Sequence, residues 1–253
     1  MKSVCITAIP GIPLVEPGDD LAALILAAIG AADLDLVSGD IVVVAQKIVS
    51  KAEGLYVRLA DVVPSPEAVD LAAEVRKDPR YVQVVLSEST EVVRRRENVL
   101  IVAHKLGLVM ANAGVDESNV DHEADGHRLL LLPRDPDGSA AELKRRFDGD
   151  GVEVGVIIND SFGRPWRNGV IGVALGAAGV PALVDLVGAP DLFGRAMRVT
   201  ETALADEIAA AASLVMGQSD EGLPVVLVRG FTSRAPVRPA SALIRPRERD
   251  MFR

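Results

Sequence analysis

Residues 157–167 read Ile-Ile-Asn-Asp-Ser-Phe-Gly-Arg-Pro-Trp-Arg, which puts a carboxylate, a hydroxyl and two guanidinium groups into one short stretch. Asp160 and Ser161 offer the oxygen ligands that hard divalent cations prefer, while Arg164 and Arg167 supply forked donors for phosphate or carboxylate. The same Asp-Ser pair also suits an Asx turn leading into a loop. A second segment, residues 112–119, holds Asp116 and Asn119 three apart beside Gly114. These two side chains can ligate Mg²⁺ or Mn²⁺, or simply bond their own backbone in a turn. A third, residues 46–54, carries Gln46, Lys47, Ser50 and Lys51 at the end of a strongly apolar run. Its lysines can neutralise phosphate oxygens, or the segment is a polar strand end running into a turn at Gly54. A fourth, Gly11-Ile12-Pro13-Leu14, follows the opening strand; its backbone groups can hold a base or phosphate, or only turn the chain.

The remaining reactive residue types carry less. His122 and His127 lie in an acidic loop, residues 121–127, and read as solvated rather than as a metal site. His104 follows a strand with no evident partner, and Cys5, inside the first strand, reads as a buried small apolar residue. No glycine-rich Walker pattern occurs, so a nucleotide site here needs another design.

Elements must bring these segments together. Apolar alternation and β-branched residues predict strands over 3–8, 41–49, 99–102, 106–111 and 129–132. The almost wholly apolar runs 154–158 and 225–228 fit strands covered on both faces. Helical spacing predicts helices over 19–29, 66–76, 140–147 and 201–216. The last of these has Thr200 or Thr202 as cap and Gly217 in the left-handed conformation at its end. Strands and helices do not alternate regularly, which favours an α+β class. Residues 149–151, Gly-Asp-Gly, are the best candidate for a joint between lobes. Residues 168–184 lack charge until after Val184 and contain Gly172 and Gly176; with so many glycines they read as closely packed soluble structure, not as a membrane span.

Composition bounds the function. With 253 residues, 49% of them hydrophobic, the chain can bury a substantial core. A net charge of −9 and only 3% aromatic residues argue against a nucleic-acid partner, since phosphate would be repelled and stacking platforms are few. The basic runs Arg94-Arg95-Arg96 and Lys144-Arg145-Arg146 read as solvated faces. One cysteine, and no apolar segment of signal-peptide length before Pro10, lead to the expectation of a cytoplasmic protein without a membrane partner.

Taken in order, residues 11–14, 50–54, 112–120, 135–140, 156–169, 206–209 and 216–230 make the sequence resemble the coenzyme F420-0:L-glutamate ligase family, also called F420-0:γ-glutamyl ligase. The resemblance implies a GTP-dependent enzyme using Mg²⁺ or Mn²⁺, often with K⁺, that joins L-glutamate to the deazaflavin coenzyme F420-0. It also implies a two-lobed α+β homodimer with largely antiparallel sheets and packed helices, forming one catalytic unit over 1–253 without a fused reductase domain. By position, GTP contacts fall to Gly11, Ile12, Pro13, Leu14, Gln46, Lys47, Lys51, Asn119 and the loop Met216, Gly217, Gln218, Ser219, Asp220, Glu221, Gly222, Leu223. Asp116, Asp160 and Ser161 are implied to hold the metal, with Asp116, Asp160 and Lys51 carrying catalysis and Arg164 and Arg167 binding substrate. Gln46-Lys47 stand where relatives have Ser-Thr, Ser161 replaces a Thr, and Gln218 stands where an acidic residue is found. The implied chemistry is phosphorylation of the coenzyme carboxylate followed by amide formation. A related carboxylate–amine ligase with another acceptor, and a non-catalytic nucleotide- or deazaflavin-binding protein, are the alternatives.

Overall fold

The computed structural model describes residues 3–120, 127–149 and 151–252. In chain order its elements are β1 (Cys5–Ala8), α1 (Leu21–Ala31), β2 (Ile41–Ala45), α2 (Gln46–Ala52), β3 (Tyr56–Arg58), α3 (Pro66–Val75), α4 (Pro79–Ser87), β4 (Ser89–Arg96), β5 (Val99–His104) and β6 (Val109–Ala111). They continue with β7 (Arg128–Leu130), α5 (Pro136–Phe147), β8 (Gly155–Arg164), β9 (Arg167–Ala178), β10 (Val184–Asp185), β11 (Glu201–Thr202), α6 (Leu204–Met216) and β12 (Val225–Arg229).

The apolar runs become the middle of a five-stranded sheet in the order β1-β12-β2-β8-β9, in which β2 and β8 are parallel and the other pairs antiparallel. Because successive strand residues face opposite ways, the runs serve two cores at once. Val42, Val44, Val156 and Ile158 pack with Ile25, Ile29, Ile48 and Leu143 from α1, α2 and α5. Ile41, Val43 and Ile157 pack on the other side with Ile208, Ala209 and Ala212 of α6. Burial on both faces explains why these strands lack polar alternation. A third apolar cluster joins α3 and α4 to the antiparallel sheet β4-β5-β6 through Leu71, Val75, Val82, Val85, Leu100 and Val102. The α+β class is the one observed. No described helix is long and apolar enough to cross a membrane.

Several local expectations are corrected. The strand over 41–49 stops at Ala45, and residues 46–52 wind into α2, where Gln46 Nε2 donates to Ser50 Oγ one turn on at 2.7 Å. Only residues 109–111 of the stretch 106–111 are strand, since Gly107 turns the chain at φ +87°. The helix expected from Glu201 begins at Leu204 without a side-chain cap, Glu201–Thr202 being β11. Its terminal Gly217 has φ +79° and ψ 179°, an extended exit rather than a left-handed turn. α5 starts at Pro136, with Asp135 Oδ1 accepting from the Gly138 amide at 3.0 Å. A run of Pro, Asp, Gly and Ser resembles a loop, yet Pro fits the first helical position. Residues 149 and 152 close a bridge, and Phe147 before and Val154 after share one core. Cys5 is exposed, because β1 lies at the edge of the sheet. His104 is buried, its Nδ1 accepts from the Leu106 amide at 2.9 Å, and its Nε2 faces Glu88 at 3.8 Å. His122 lies outside the described residues, while His127 sits 3.1 Å from Glu117.

The glycine-rich stretch after residue 168 is strand β9, and its first four residues are exposed, not packed. Farther along, Leu175 is an extra residue in β9, since Ile158 pairs with Gly176 and Asn159 with Ala174. This bulge lets Gly172 meet α6, where a Cβ would collide with the Ala209 carbonyl oxygen, and Gly176 meet α5, where a Cβ would collide with that of Pro136.

Candidate active site

Topology delivers the sequence segments to one end of the large sheet. β1, β2 and β8 all run toward this end and β12 starts from it, since β12 is antiparallel to both β1 and β2. Residues after β1, the start of α2 after β2, the second half of β8 and the loop before β12 therefore meet there. The opening between neighbouring strand ends is a general place for a ligand crevice. β2 pairs with β8 only as far as Ala45 opposite Asn159, so Asp160 and Ser161 continue with β9 as their sole strand neighbour. The Asp-Ser pair thus lies in a strand and not in a loop.

The result is a cleft of about 590 Å³. Its walls contain Ile12, Pro13 and Leu14, then Gln46, Lys47 and Lys51, then Asp116 and Asn119, then Asp160 and Ser161, and finally Met216 through Leu223. Gly11 adjoins this wall at φ +79° without lining it. Arg164 and Arg167 are not brought into the cleft; they face each other where β8 turns into β9. A second cleft of about 580 Å³ between α1, α2 and α5 contains none of the expected site residues, and across it Arg146 pairs with Asp20 at 2.8 Å.

Helix α2 aims its cations. Lys47 and Lys51 are four residues apart and so share a face, and both reach the 116–119 segment. Lys47 Nζ lies 2.7 Å from Asp116 Oδ2 and donates to Ser118 Oγ at 2.6 Å and its carbonyl at 3.1 Å. Lys51 Nζ donates to the Asn119 carbonyl at 2.7 Å, and Asn119 Nδ2 donates to the Ser219 carbonyl at 3.1 Å. The Asp116 turn is itself real, because Ser118 N and Oγ both donate to Asp116 Oδ1 at 2.8 Å. Turn and ligand readings of Asp116 are therefore compatible. Sequence reasoning passed over Ser118, Val170 and Asn159, which also line the cleft. The Asp-X-Ser spacing could have revealed Ser118, and a lone polar residue closing an apolar run could have revealed Asn159. Asn159 is buried and donates to Ser213 Oγ at 3.1 Å.

The two carboxylates differ in character. Burial works to raise the Asp116 pKa, but hydrogen bonding to Lys47, its charge and the Ser118 donors prevail and hold the group below the usual carboxylate value. Among the described residues, Asp160 accepts from the Ser161 amide alone, at 2.8 Å. Burial, together with the negative charge of Asp116, pushes its pKa up to about 6. A cation between the two would relieve that cost. Among the described residues no group of three or more His, Cys, Asp or Glu gathers to cage a metal. Two carboxylates and a hydroxyl lining one cleft do match the partial shell that Mg²⁺ or Mn²⁺ accepts when phosphate and water oxygens supply the rest.

The sequence profile of the F420-0:Gamma-glutamyl ligase family matches residues 11–230, most of the chain and every segment of the cleft. The chain belongs to that family. It is 48% identical over 256 residues to the coenzyme F420:L-glutamate ligase of Methanothermobacter thermautotrophicus, covering 99% of both chains. The ligase of that name from Methanopyrus kandleri is 48% identical over 94% of this chain and 93% of its own. The one from Halobacterium salinarum is 44% identical over 88% and 86%. Family membership thus spans all five segments that form the cleft.

Proposed function

We propose that this chain is a ligase of coenzyme F420 biosynthesis that forms an amide bond between the amine of L-glutamate and a carboxylate of coenzyme F420-0, driven by GTP. The observation that carries the reading is the meeting of Asp116, Asp160 and Ser161 with Lys47, Lys51 and the 216–223 loop in one cleft. A carboxylate is a poor acyl donor, so an acid is commonly activated by converting its oxygen into a leaving group. In the proposed reaction the coenzyme carboxylate attacks the γ-phosphorus of GTP, giving an acyl phosphate and GDP. The glutamate amine then attacks the acyl carbon, phosphate departs, and the amine loses a proton as the amide forms.

The chain's own residues supply positioning and charge. Lys47 and Lys51 offset the negative charge of the triphosphate, and the glycine-containing 216–223 loop brings backbone close to the nucleotide. Asp116, Asp160 and Ser161 are the residues that would hold Mg²⁺ or Mn²⁺, whose role is to neutralise phosphate charge. No covalent enzyme intermediate is required.

The test is direct. Purified protein incubated with GTP, Mn²⁺, L-glutamate and coenzyme F420-0 is expected to yield GDP and a coenzyme heavier by one or more glutamyl residues in the mass spectrum. GDP with a glutamyl adduct on a different acid would redirect the reading to another acceptor. Nucleotide binding without either product would leave a binding protein and sink the ligase.

A further inference from the structure

Beyond the cleft, β8 and β9 run on as a two-stranded arm that turns at Pro165-Trp166. Trp166 is the only tryptophan in a chain with 3% aromatic residues, and it is 81% exposed. Its φ of +60° is an uncommon conformation for a bulky side chain. Nothing in the folded core accounts for such a residue there. Its ring lies 4.9 Å from that of Phe252 at an interplanar angle of 62°, and the Arg245 guanidinium stands 5.8 Å from the Phe252 ring. Edge-to-face packing of this kind holds one aromatic ring in place while leaving a face open. Two residues back along the arm, Arg164 has a buried Nη1 with no acceptor, and neither Arg164 nor Arg167 forms an ion pair among the described residues.

We infer that the tip of this arm is a platform for the planar ring system of the deazaflavin substrate, with Arg164 and Arg167 taking the anionic tail between ring and cleft. The inference rests on the ligase reading, which requires the tail carboxylate to reach Asp160 and Ser161. Distance fits. Ser161 pairs with Gly172, six positions along the arm from Trp166, or about 20 Å at the usual strand rise. That is the order of separation expected between the ring of a long, tailed coenzyme and its terminal acid. An unpaired buried guanidinium nitrogen is a donor waiting for an acceptor, and the exposed indole face supplies stacking area that tolerates a tricyclic ring. Phe252 and Arg245 lie past the region matched by the family profile, so this chain contributes part of the platform from its own tail.

Because Trp166 is the sole tryptophan, its emission reports the platform directly. A deazaflavin chromophore lacking the acidic tail is expected to quench that emission saturably in the full-length protein. Trp166→Ala and Phe252→Ala are expected to raise the KM for coenzyme F420-0 about tenfold, a usual loss for one stacking partner, without moving the KM for GTP. Trp166→Phe should recover most of the effect. Quenching without any turnover would support the platform while sinking the ligase reading. Emission unaffected at coenzyme concentrations that saturate turnover would overturn the proposal. So would a blue-shifted emission in the free protein combined with a change of sedimenting mass in Trp166→Ala, which would assign the tip to contact with a second copy.

Discussion

Asp160 and Asp116 are of the same residue type in the same cleft, and their environments drive them apart. Asp116 has Lys47 and two Ser118 donors, whereas Asp160 has one amide and much protein around it. With a native pKa of about 6 against an ordinary 3.8, Asp160 binds its proton more tightly folded than unfolded. Its contribution therefore favours the fold at low pH, declines as pH rises from about 4 to 6, and above that leaves a cost of up to about 3 kcal/mol. In metal-free buffer, Asp160→Asn should unfold at higher urea than the parent at pH 7 and at about the same urea below pH 4. A stability gap that stayed constant across that range would show that Asp160 is not the titrating group. The same variant is expected to lose turnover, since a neutral amide cannot balance a divalent charge. Stability gained while activity disappears is the signature of a charge kept for function.

Elements explain both what the sequence disclosed and what it hid. The apolar runs at 41–45, 155–158 and 225–228 were legible as strands because burial on both faces leaves no polar residue to confuse the period. The boundary at Ala45 was not, since Ile48 and Val49 continue the apolar character while the backbone changes from strand to helix. α4, β3 and β4 were missed. α4 buries Tyr81, Val82, Val84 and Val85, a β-branched stretch with weak helix propensity that tertiary packing overrides. In β4 the three arginines dominate, and register shifts break its alternation. At the site, residue types were readable and partners were not: Lys47 with Asp116 and Asn119 with Ser219 are contacts across 69 and 100 positions that no local pattern encodes. Arg164 and Arg167, expected to bind substrate, lie outside the cleft lining where β8 turns into β9. β9 provides a clean test of element packing. Gly176→Ala would press a methyl group into the first turn of α5, and we expect a loss of about 1–3 kcal/mol in chemical denaturation. An unchanged midpoint would mean that α5 can back away from the sheet at no cost.

For the molecule as a whole, a net charge of −9 opposes binding of anionic substrates, so local cations must outweigh the global field. The tail beyond the family-matched region is tied to the rest through Asp137 at the start of α5. Its Oδ1 accepts from the amides of Ala177 in β9 and Ala240 in the tail at 2.9 and 2.8 Å, and its Oδ2 accepts from Ser241 at 3.1 Å. Farther along, Arg247 pairs with Glu91 of β4, so the tail also touches the three-stranded sheet. Asp137→Ala leaves those three amides without their acceptor and should lower Tm by roughly 5–10 °C. Hydrogen exchange at Ala240–Leu243 should accelerate in the same variant; protection equal to the parent's would show that the tail is held by other contacts. The convergence of strand ends has a last implication. Contributors to the cleft enter at residues 12–14, 46–51, 116–119, 160–161 and 216–223, so the reactive wall is woven from nearly the full length of the chain. No single break between Leu14 and Met216 yields a fragment that owns the chemistry.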